Sequence, residues 1–528
     1  MDPTTKRVAI VGAGISGLAT CKHALAKGFR PVVFEADEGH GGAWRHTLAS
    51  TRLQTPAPSY RFSDFPWPPG ASTAEELFPR HDQVVAYLDA YARRFGVLEC
   101  VRFGSTVLRA EYAGAPEEQV AAWERWAGNG EAFGDGTGEW LLTVQHRGSE
   151  ATQMYRFDFL ILCLGKFSGV ANTPAFPPNR GPEVFRGQVL HSMDYSRMAA
   201  AAAAELIRGK RVAVVGSGKS AYDTVAECAD VNGARFPCTM VCRSPVWMVN
   251  GGFVWGVSIG HLFLNRLAEL MVPHKPGEGL ALTLLAMMLS PLRWVISKLT
   301  EAYFKARIPM REHGMVPDWS FAWTVSACRL GVLPDRFYDR VAEGSVAIRR
   351  ARSVSFCADG LVLGEDDAGE RVEADVVVLA TGFRGADKLR GIFASPRFRE
   401  MVAGGPDNPA PLYRQCVHPR IPQMAVIGYS NNSSTMFACE MMAKWVAHLL
   451  DGAFRLPGVA RMERSVAEWG EYVKRHAFVD GEGPCISAAN TWYNDELCRD
   501  MGYNPRRKKG ILAEWLQPYG PADYAGIL

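Results

Sequence analysis

The sequence predicts an α/β fold made of two Rossmann-like units, the smaller inserted in the larger, and three observations carry that prediction. First, KRVAIVGAGISGLATCKHALAKGFRPVVFEA (6–36) and GKRVAVVGSGKSAYDTVAECADVNGARFPCTMVCRS (209–244) follow one plan. Each reads as a β-branched strand, a glycine-rich turn, an amphipathic helix and a second strand, which is a βαβ unit with its crossover helix. Second, FDFLILCLG (157–165) and ADVVVLATGF (374–383) are apolar runs that end near glycine. Such runs suit buried parallel strands ending at a ligand crevice. Third, a chain of 528 residues exceeds one domain and has room for two or three.

Taken in order, residues 1–180 form the first part of the larger unit. Within it, two strands flank a glycine- and acid-rich stretch, roughly Gly114 to Gly138, that reads as a surface excursion. FRGQVLHSMDYS (185–196) follows as an irregular polar hinge, and the alanine run Ala199–Ala204 as a short helix. The smaller unit spans 205–375. Its stretch 245–333, rich in Trp, Met and Leu without strand alternation, reads as inserted helices and loops. Residues 376–528 return to the larger unit and close with helices such as TMFACEMMAKWVAHLLDG (435–452). The longest apolar stretch, Gly279 to Ile296, is interrupted by Pro291 and Arg293. About a dozen clean residues remain, too few to span a bilayer, so a buried helix is expected, with a membrane-touching lid as the alternative.

Composition narrows the classes. A net charge of +3 gives no reason to expect a nucleic-acid surface. The one basic run, Arg506–Lys509, reads as a solvated helix start. The 12 cysteines contain no C-x-x-C pair. Cys238 and Cys242 share a strand face without further ligands, so no metal site is expected. No disulfide framework is indicated, which fits a reducing, cytoplasmic setting. The N-terminus runs straight into a strand and lacks a signal-peptide pattern.

Gly12, Gly14 and Gly17 make G-x-G-x-x-G, with Ala13, Ile15 and Ser16 between them. Only glycines let the backbone turn tightly and approach a pyrophosphate at the helix N-terminus. Glu35 closes the second strand, where an acid bonds ribose hydroxyls. An acid there argues against a 2′-phosphate and suits FAD or NAD. Gly216, Ser217, Gly218, Lys219, Ser220 and Ala221 repeat the fingerprint, but this second strand leads to Arg243. An arginine there pairs with a 2′-phosphate, which favours NADPH, and Lys219 can reach the phosphates. The alternative for Arg243 is a solvated strand-end charge. Two dinucleotide sites point to a flavoprotein fed by NADPH, with FAD in the larger domain. A disulfide reductase would need a C-x-x-C, so O₂ is the expected acceptor.

GGAW (41–44), with Gly42 and Trp44, is similar to the flavin-site G-G-x-W of the class B flavin-dependent monooxygenases, the flavin-containing monooxygenase family. Phe185, Gly187, His191 and Tyr195 match that family's F-x-G-x-x-x-H-x-x-x-Y pattern, and LATGF (379–383) its later motif. The likeness runs to WYNDELCRDMGYNPRRKKG (492–510). It implies NADPH- and O₂-dependent oxygenation of a small nucleophile. Tyr195, where ketone-oxidising relatives carry Trp, implies the N- and S-oxygenating branch. RLQTPAPSYRFSDFPWP (52–68) resembles plant members, nearest the branch that N-hydroxylates L-pipecolic acid in plant defence. S-oxygenation of a thioether or auxin-type decarboxylation of indole-3-pyruvate are the alternatives, and an inactive nucleotide-binding regulator is a remote one. The expected location is the cytoplasm, with the endoplasmic reticulum surface as the alternative. One departure is Gln54-Thr55, where animal members have Asn-Thr: Gln54 is expected to hold the oxygenated cofactor, with Asn431 as a replacement amide. Helix capping is the alternative for Asn431 and Asn432. His191 is expected to position and couple rather than to move protons.

Overall fold

The computed structural model describes residues 2–68, 77–364, 369–405, 410–477 and 484–527. The first unit contains strand β1 (Val8–Val11), helix α1 (Ile15–Ala26), and strands β2 (Val32–Phe34), β3 (Val101–Arg102) and β4 (Phe159–Leu162). The second contains β5 (Gln188–His191), α2 (Ser192–Arg197), β6 (Val212–Val215), α3 (Lys219–Asn232), β7 (Cys238–Cys242), α4 (Leu280–Arg307), α5 (Phe321–Ser326), β8 (Val346–Arg350) and β9 (Val376–Leu379). The chain then returns to the first unit with β10 (Met424–Val426), α6 (Thr435–Leu450) and, after further helices, α7 (Ile511–Leu516).

Both main sheets are five-stranded and parallel, in the orders β10-β4-β1-β2-β3 and β5-β9-β6-β7-β8. The two orders are equivalent. Each fingerprint strand (β1, β6) is central, flanked by the second strand of its βαβ unit and by one of the late apolar runs (β4, β9). Alternation sorts the side chains. Val8 and Ile10 of β1 face a core shared with α1 and α6, while Ala9 and Val11 face a three-stranded antiparallel sheet (105–113, 139–146, 152–157). In the second unit Val212 and Val214 face α3, and Ala213 faces a second three-stranded sheet (354–357, 360–363, 370–373). Burial on both faces is why these strands are apolar throughout.

Several expectations need correction. β5 and β9 both pair in the second sheet, so the second unit starts before residue 205 and extends past 375. The reason is that VVVL of β9 needs neighbours on both edges, and β6 and β5 supply them. Most of the 185–196 stretch is regular: from Gln188 onward it is β5 followed by α2. The 114–138 stretch is not wholly a surface excursion. Trp126 and Phe133 plug the first core, and the Trp126 indole N–H donates to the His418 and Ile421 carbonyls at 3.0 and 2.9 Å. Cys328 and Cys485 form a disulfide across 157 residues. Pairing of such distant cysteines depends on the tertiary path and has no sequence signature.

The largest correction concerns 279–296. α4 runs unbroken for 28 residues through Pro291, and only 11% of its most apolar window is buried. Proline removes the hydrogen bond that the Met287 carbonyl would accept. The Ser290 hydroxyl supplies a replacement at 2.9 Å. Among the described residues it is the one helix long and apolar enough to cross a membrane. It nevertheless lies along the protein: Ser297 Oγ accepts from Ala322 N at 3.0 Å, and Glu301 from Phe321 N at 3.1 Å, docking one face on α5. The basic run is also less free than expected, since Arg507 and Lys508 bond Asp523 and Arg506 bonds Glu514.

Candidate active site

The first glycine loop joins β1 to α1. Gly12 has φ +104° and its N–H donates to the Phe34 carbonyl at 2.7 Å. A Cβ there would collide with the Cys163 carbonyl just past β4, and a Cβ on Gly17 would collide with the Gly12 carbonyl. Gly14 caps α1 and lies against Gly42 of GGAW, where an added Cβ would be 3.6 Å from the Gly42 Cα. The Gly41 N–H holds this approach through the Ala13 carbonyl at 3.0 Å. The amides of Ile15 and Ser16 therefore stand at a helix start kept free of side chains, which fits a dinucleotide pyrophosphate. Two expected residues are placed differently. The Ser16 hydroxyl turns inward to Cys439 at 3.6 Å. Glu35 is buried and accepts from the Ala13 and Asp37 amides at 2.6 and 2.9 Å. It thus braces the loop, a role beside the ribose contact expected of it. Trp44 is half-buried, edge-on to Tyr60 at 6.1 Å.

The second loop repeats the design. The Gly216 N–H donates to the Val241 carbonyl at 3.0 Å, and a Cβ on Gly216 would collide with the Ala380 carbonyl past β9. So CLG and ATG do one job: each ends the strand on which a fingerprint glycine rests. Gly218 caps α3, and nothing lies within 4 Å of where its Cβ would be. That open space over a helix N-terminus fits the second dinucleotide. The Ser217 hydroxyl donates to the Ser244 carbonyl at 2.7 Å, fastening the Arg243–Ser244 turn to the loop. Arg243 itself is exposed, as a 2′-phosphate partner must be. Ser220 is exposed and Ala221 fully buried. Lys219 donates to Asp223 at 2.6 Å, and Asp223 also accepts from Thr51 at 2.9 Å.

The motif at 185–195 belongs to the second unit, on β5, α2 and the turn before them. Gly187 is required because a Cβ there would meet the Phe185 ring and the Asp375 carbonyl. His191 pairs with Leu379 across β5 and β9, and its ring is edge-on to Phe383 at 5.6 Å, so this motif and LATGF meet in space. His191 Nδ1 accepts from Met193 N at 3.1 Å, capping α2, while Nε2 is buried without a hydrogen bond of good geometry. Burial lowers the His191 pKa against the opposing pull of Asp194 and the Gly382 carbonyl. The ring is therefore neutral, which suits positioning. Tyr195 is fully buried and donates to Glu227 at 3.2 Å.

A strap from Leu48 to Thr55 connects these parts. Leu48 sits in the second unit's core, Ser50 donates to Glu227 at 3.1 Å, and Thr51 donates to Asp223. Gln54 Oε1 accepts from Val332 N at 3.3 Å, and Thr55 Oγ1 donates to the Ser433 carbonyl at 2.5 Å. Asn431 lies two residues before Ser433, and its Oδ1 accepts from Lys166 Nζ at 3.1 Å. The capping alternative fits neither asparagine: Ser434 is the N-cap residue of α6 and has no side-chain cap bond, and Asn432 Oδ1 accepts from Ser434 N at 3.1 Å in the turn before the helix. Sequence reasoning missed Thr51, Lys166, Asp223 and Glu227. Asp223 was the accessible one, because four residues after Lys219 on a helix is ion-pair spacing. Among the described residues no three His, Cys, Asp or Glu side chains gather as a metal site.

Known proteins resemble the chain over almost its whole length. The family model described as flavin-binding monooxygenase-like matches residues 5–514. The chain is 36% identical over 532 residues to the probable flavin-containing monooxygenase 1 of Arabidopsis thaliana, covering 99% of this chain and 96% of that one. It is 34% identical to the putative flavin-containing monooxygenase 2 of the same plant, covering 95% and 98%. Among solved structures, a closed cyclohexanone monooxygenase superposes with TM-score 0.64 at 16% identity, covering 94% and 97%. S-allyl-L-cysteine S-oxygenase from Allium sativum does so with TM-score 0.58 at 17% identity, covering 96% and 90%. At such identities these structures speak for the fold alone.

Proposed function

Because the chain belongs to the flavin-binding monooxygenase-like family, and is an NADPH-dependent flavin monooxygenase with FAD as its flavin, we propose that it N-hydroxylates a small amine, with L-pipecolic acid as the substrate. The reaction is amine + O₂ + NADPH + H⁺ → hydroxylamine + NADP⁺ + H₂O. When bound, FAD reduced by NADPH supplies the activation of O₂ and the transfer of one oxygen atom. The chain's own residues do the rest. The Gly12–Gly17 loop and GGAW hold FAD. Gly216–Ala221, with Lys219 and Arg243, holds NADPH. Gln54 and Asn431 supply amide groups where substrate and flavin meet, and His191 positions the NADPH unit against the flavin unit.

The observation that carries the amine reading is the character of the Gln54–Asn431 region. It offers amides and the Lys166 ammonium, which can pair with an amino-acid carboxylate. The motif histidine, His191, has a burial-lowered pKa and serves as a cap, not as a base beside a nucleophile. A site built this way leaves the substrate to be the nucleophile, and a secondary amine is a good one. The protein works in the cytoplasm, with the exposed face of α4 against a membrane surface such as that of the endoplasmic reticulum.

The test is product analysis by mass. FAD-loaded protein with NADPH and O₂ is given L-pipecolate, a methylthioalkyl amino acid and indole-3-pyruvate in separate reactions. N-hydroxypipecolate is expected. A sulfoxide or indole-3-acetate alone transfers the assignment to sulfur or to decarboxylation. NADPH oxidation without any oxygenated product from an amine panel overturns the amine reading.

A further inference from the structure

We propose that Asp223 is a positioning residue that couples occupancy of the NADPH loop to the Gln54 strap, by exchanging its two partners. The inference rests on the assignment of the second glycine loop to NADP(H). Asp223 is buried, with a side chain only 5% exposed, and it joins two groups from different parts of the molecule. Its Oδ1 accepts from Lys219 Nζ at 2.6 Å, and its Oδ2 from Thr51 Oγ1 at 2.9 Å. Lys219 is the first residue of α3, directly after Gly218. Its ammonium is folded back one helical turn onto Asp223 instead of reaching over the open space at Gly218.

A pyrophosphate at that helix start offers Lys219 a competing anion, assisted by the α3 N-terminal amides. When Lys219 turns to the phosphate, Asp223 loses its cation while staying buried. A buried carboxylate without its cation is costly, so it depends more on the remaining donor, Thr51. Thr51 lies three residues before Gln54, which is itself hydrogen-bonded to Val332. A change in how Asp223 holds Thr51 is therefore a change at the substrate end of the strap. A second rung separates this effect from simple docking. Glu227, one turn further along α3, accepts instead from two neutral hydroxyls, Ser50 at 3.1 Å and Tyr195 at 3.2 Å. Leu48 anchors the strap in the second core below both rungs.

The experiment titrates NADP⁺ into FAD-loaded protein, reading the dissociation constant and the flavin difference spectrum separately. Thr51→Val should bind NADP⁺ within about twofold of wild type, yet lose most of the NADP⁺-induced spectral amplitude, because the hydroxyl matters to the relay and not to the phosphate site. Thr51→Ser should restore the amplitude. Asp223→Asn keeps an acceptor for Thr51 but releases Lys219, so NADP⁺ should bind about three- to tenfold more tightly. Ser50→Ala, on the rung of neutral hydroxyls, should leave both readouts near wild type. Full amplitude in Thr51→Val overturns the relay. So does loss of amplitude in Ser50→Ala equal to that in Thr51→Val, or weaker NADP⁺ binding in Asp223→Asn. If wild type itself fails to bind NADP⁺, the cofactor assignment of the loop falls, and this inference with it.

Discussion

One added methyl group separates two of the fingerprint glycines, Gly17 and Gly218. A Cβ on Gly17 would collide with the Gly12 carbonyl, and Gly12 cannot retreat because it rests on Cys163. Gly218 has nothing within 4 Å of its missing Cβ. Gly17→Ala should therefore cost about 1–3 kcal/mol of stability or more and yield colourless protein without FAD. Gly218→Ala should keep its yellow colour and melting temperature, and raise KM for NADPH, because its methyl enters the space left for pyrophosphate. Absorbance at 450 nm after gel filtration and a thermal melt distinguish the two. If both variants retain FAD equally, the close-approach reading of the first loop is wrong. Arg243 makes a second test. It is exposed at the end of β7, so Arg243→Ala should leave folding alone, lower kcat/KM for NADPH about 10- to 100-fold, and change that for NADH less than about twofold. These residues were legible in the sequence because backbone chemistry restricts which residue types can stand at a nucleotide turn. Lys166, Asp223 and Thr51 were not, because their meaning comes from a partner that only the folded chain supplies.

At the scale of elements, α6 shows how the first unit depends on pH. Glu440, in the middle of this buried helix, accepts from Ser63 N and Oγ at 2.7 and 2.8 Å and lies 3.4 Å from His23 of α1. Burial works to raise the Glu440 pKa, but His23 and Lys444 outweigh it and hold it down at about 2. Burial also depresses His23 to about 4, and His418 and His476 to about 4 as well. A histidine depressed in this way is neutral when folded and takes up a proton on unfolding. Between its unfolded pKa near 6.5 and its folded value near 4, stability falls as pH falls. Each fully buried histidine contributes up to about 3 kcal/mol of that loss. Glu440, depressed instead from 4.5, keeps its contribution above pH 4.5 and loses it as pH drops toward 2. Melting temperature should thus decline steadily from pH 6.5 to 4. His418→Asn, which can still accept from Arg420 N as His418 Nδ1 does at 3.1 Å, should flatten the curve. An unchanged slope in that variant rules out His418 as a contributor. The βαβ elements themselves were readable because strand and helix periods alternate around fixed glycines. The length of α4 was not, because a proline reads as a stop unless a neighbour such as Ser290 satisfies the freed carbonyl.

For the whole molecule, the feature that needs a partner is the outer face of α4. Leu280, Met288 and Trp294 are 76, 74 and 60% exposed, and Trp255 on the neighbouring hairpin is 63% exposed. Ile511 and Leu512 of α7 are 80 and 75% exposed, directly after the basic run that ends in exposed Lys509. α4 and α7 both pack on the Arg266–Leu270 helix, which places the two apolar faces in one region of the surface. Patches of this size are rare on a protein that meets only water. Tryptophans at the margin and a basic run beside the apolar face suit a lipid interface, where each buried Leu, Met or Trp contributes roughly 1.5–3 kcal/mol and a nearby cation about 1 kcal/mol against anionic lipid. The face is not a membrane span, because the opposite side of α4 is committed to α5 through Ser297 and Glu301. The protein should therefore co-sediment with vesicles of phosphatidylcholine and phosphatidylserine, less so as salt rises. Met288→Lys combined with Leu292→Lys should abolish that binding without changing the melting temperature or NADPH oxidation in solution, since neither side chain reaches the core. Wild-type protein that ignores vesicles and instead forms a dimer that these two lysines break would show that a second copy, and not a bilayer, covers the face.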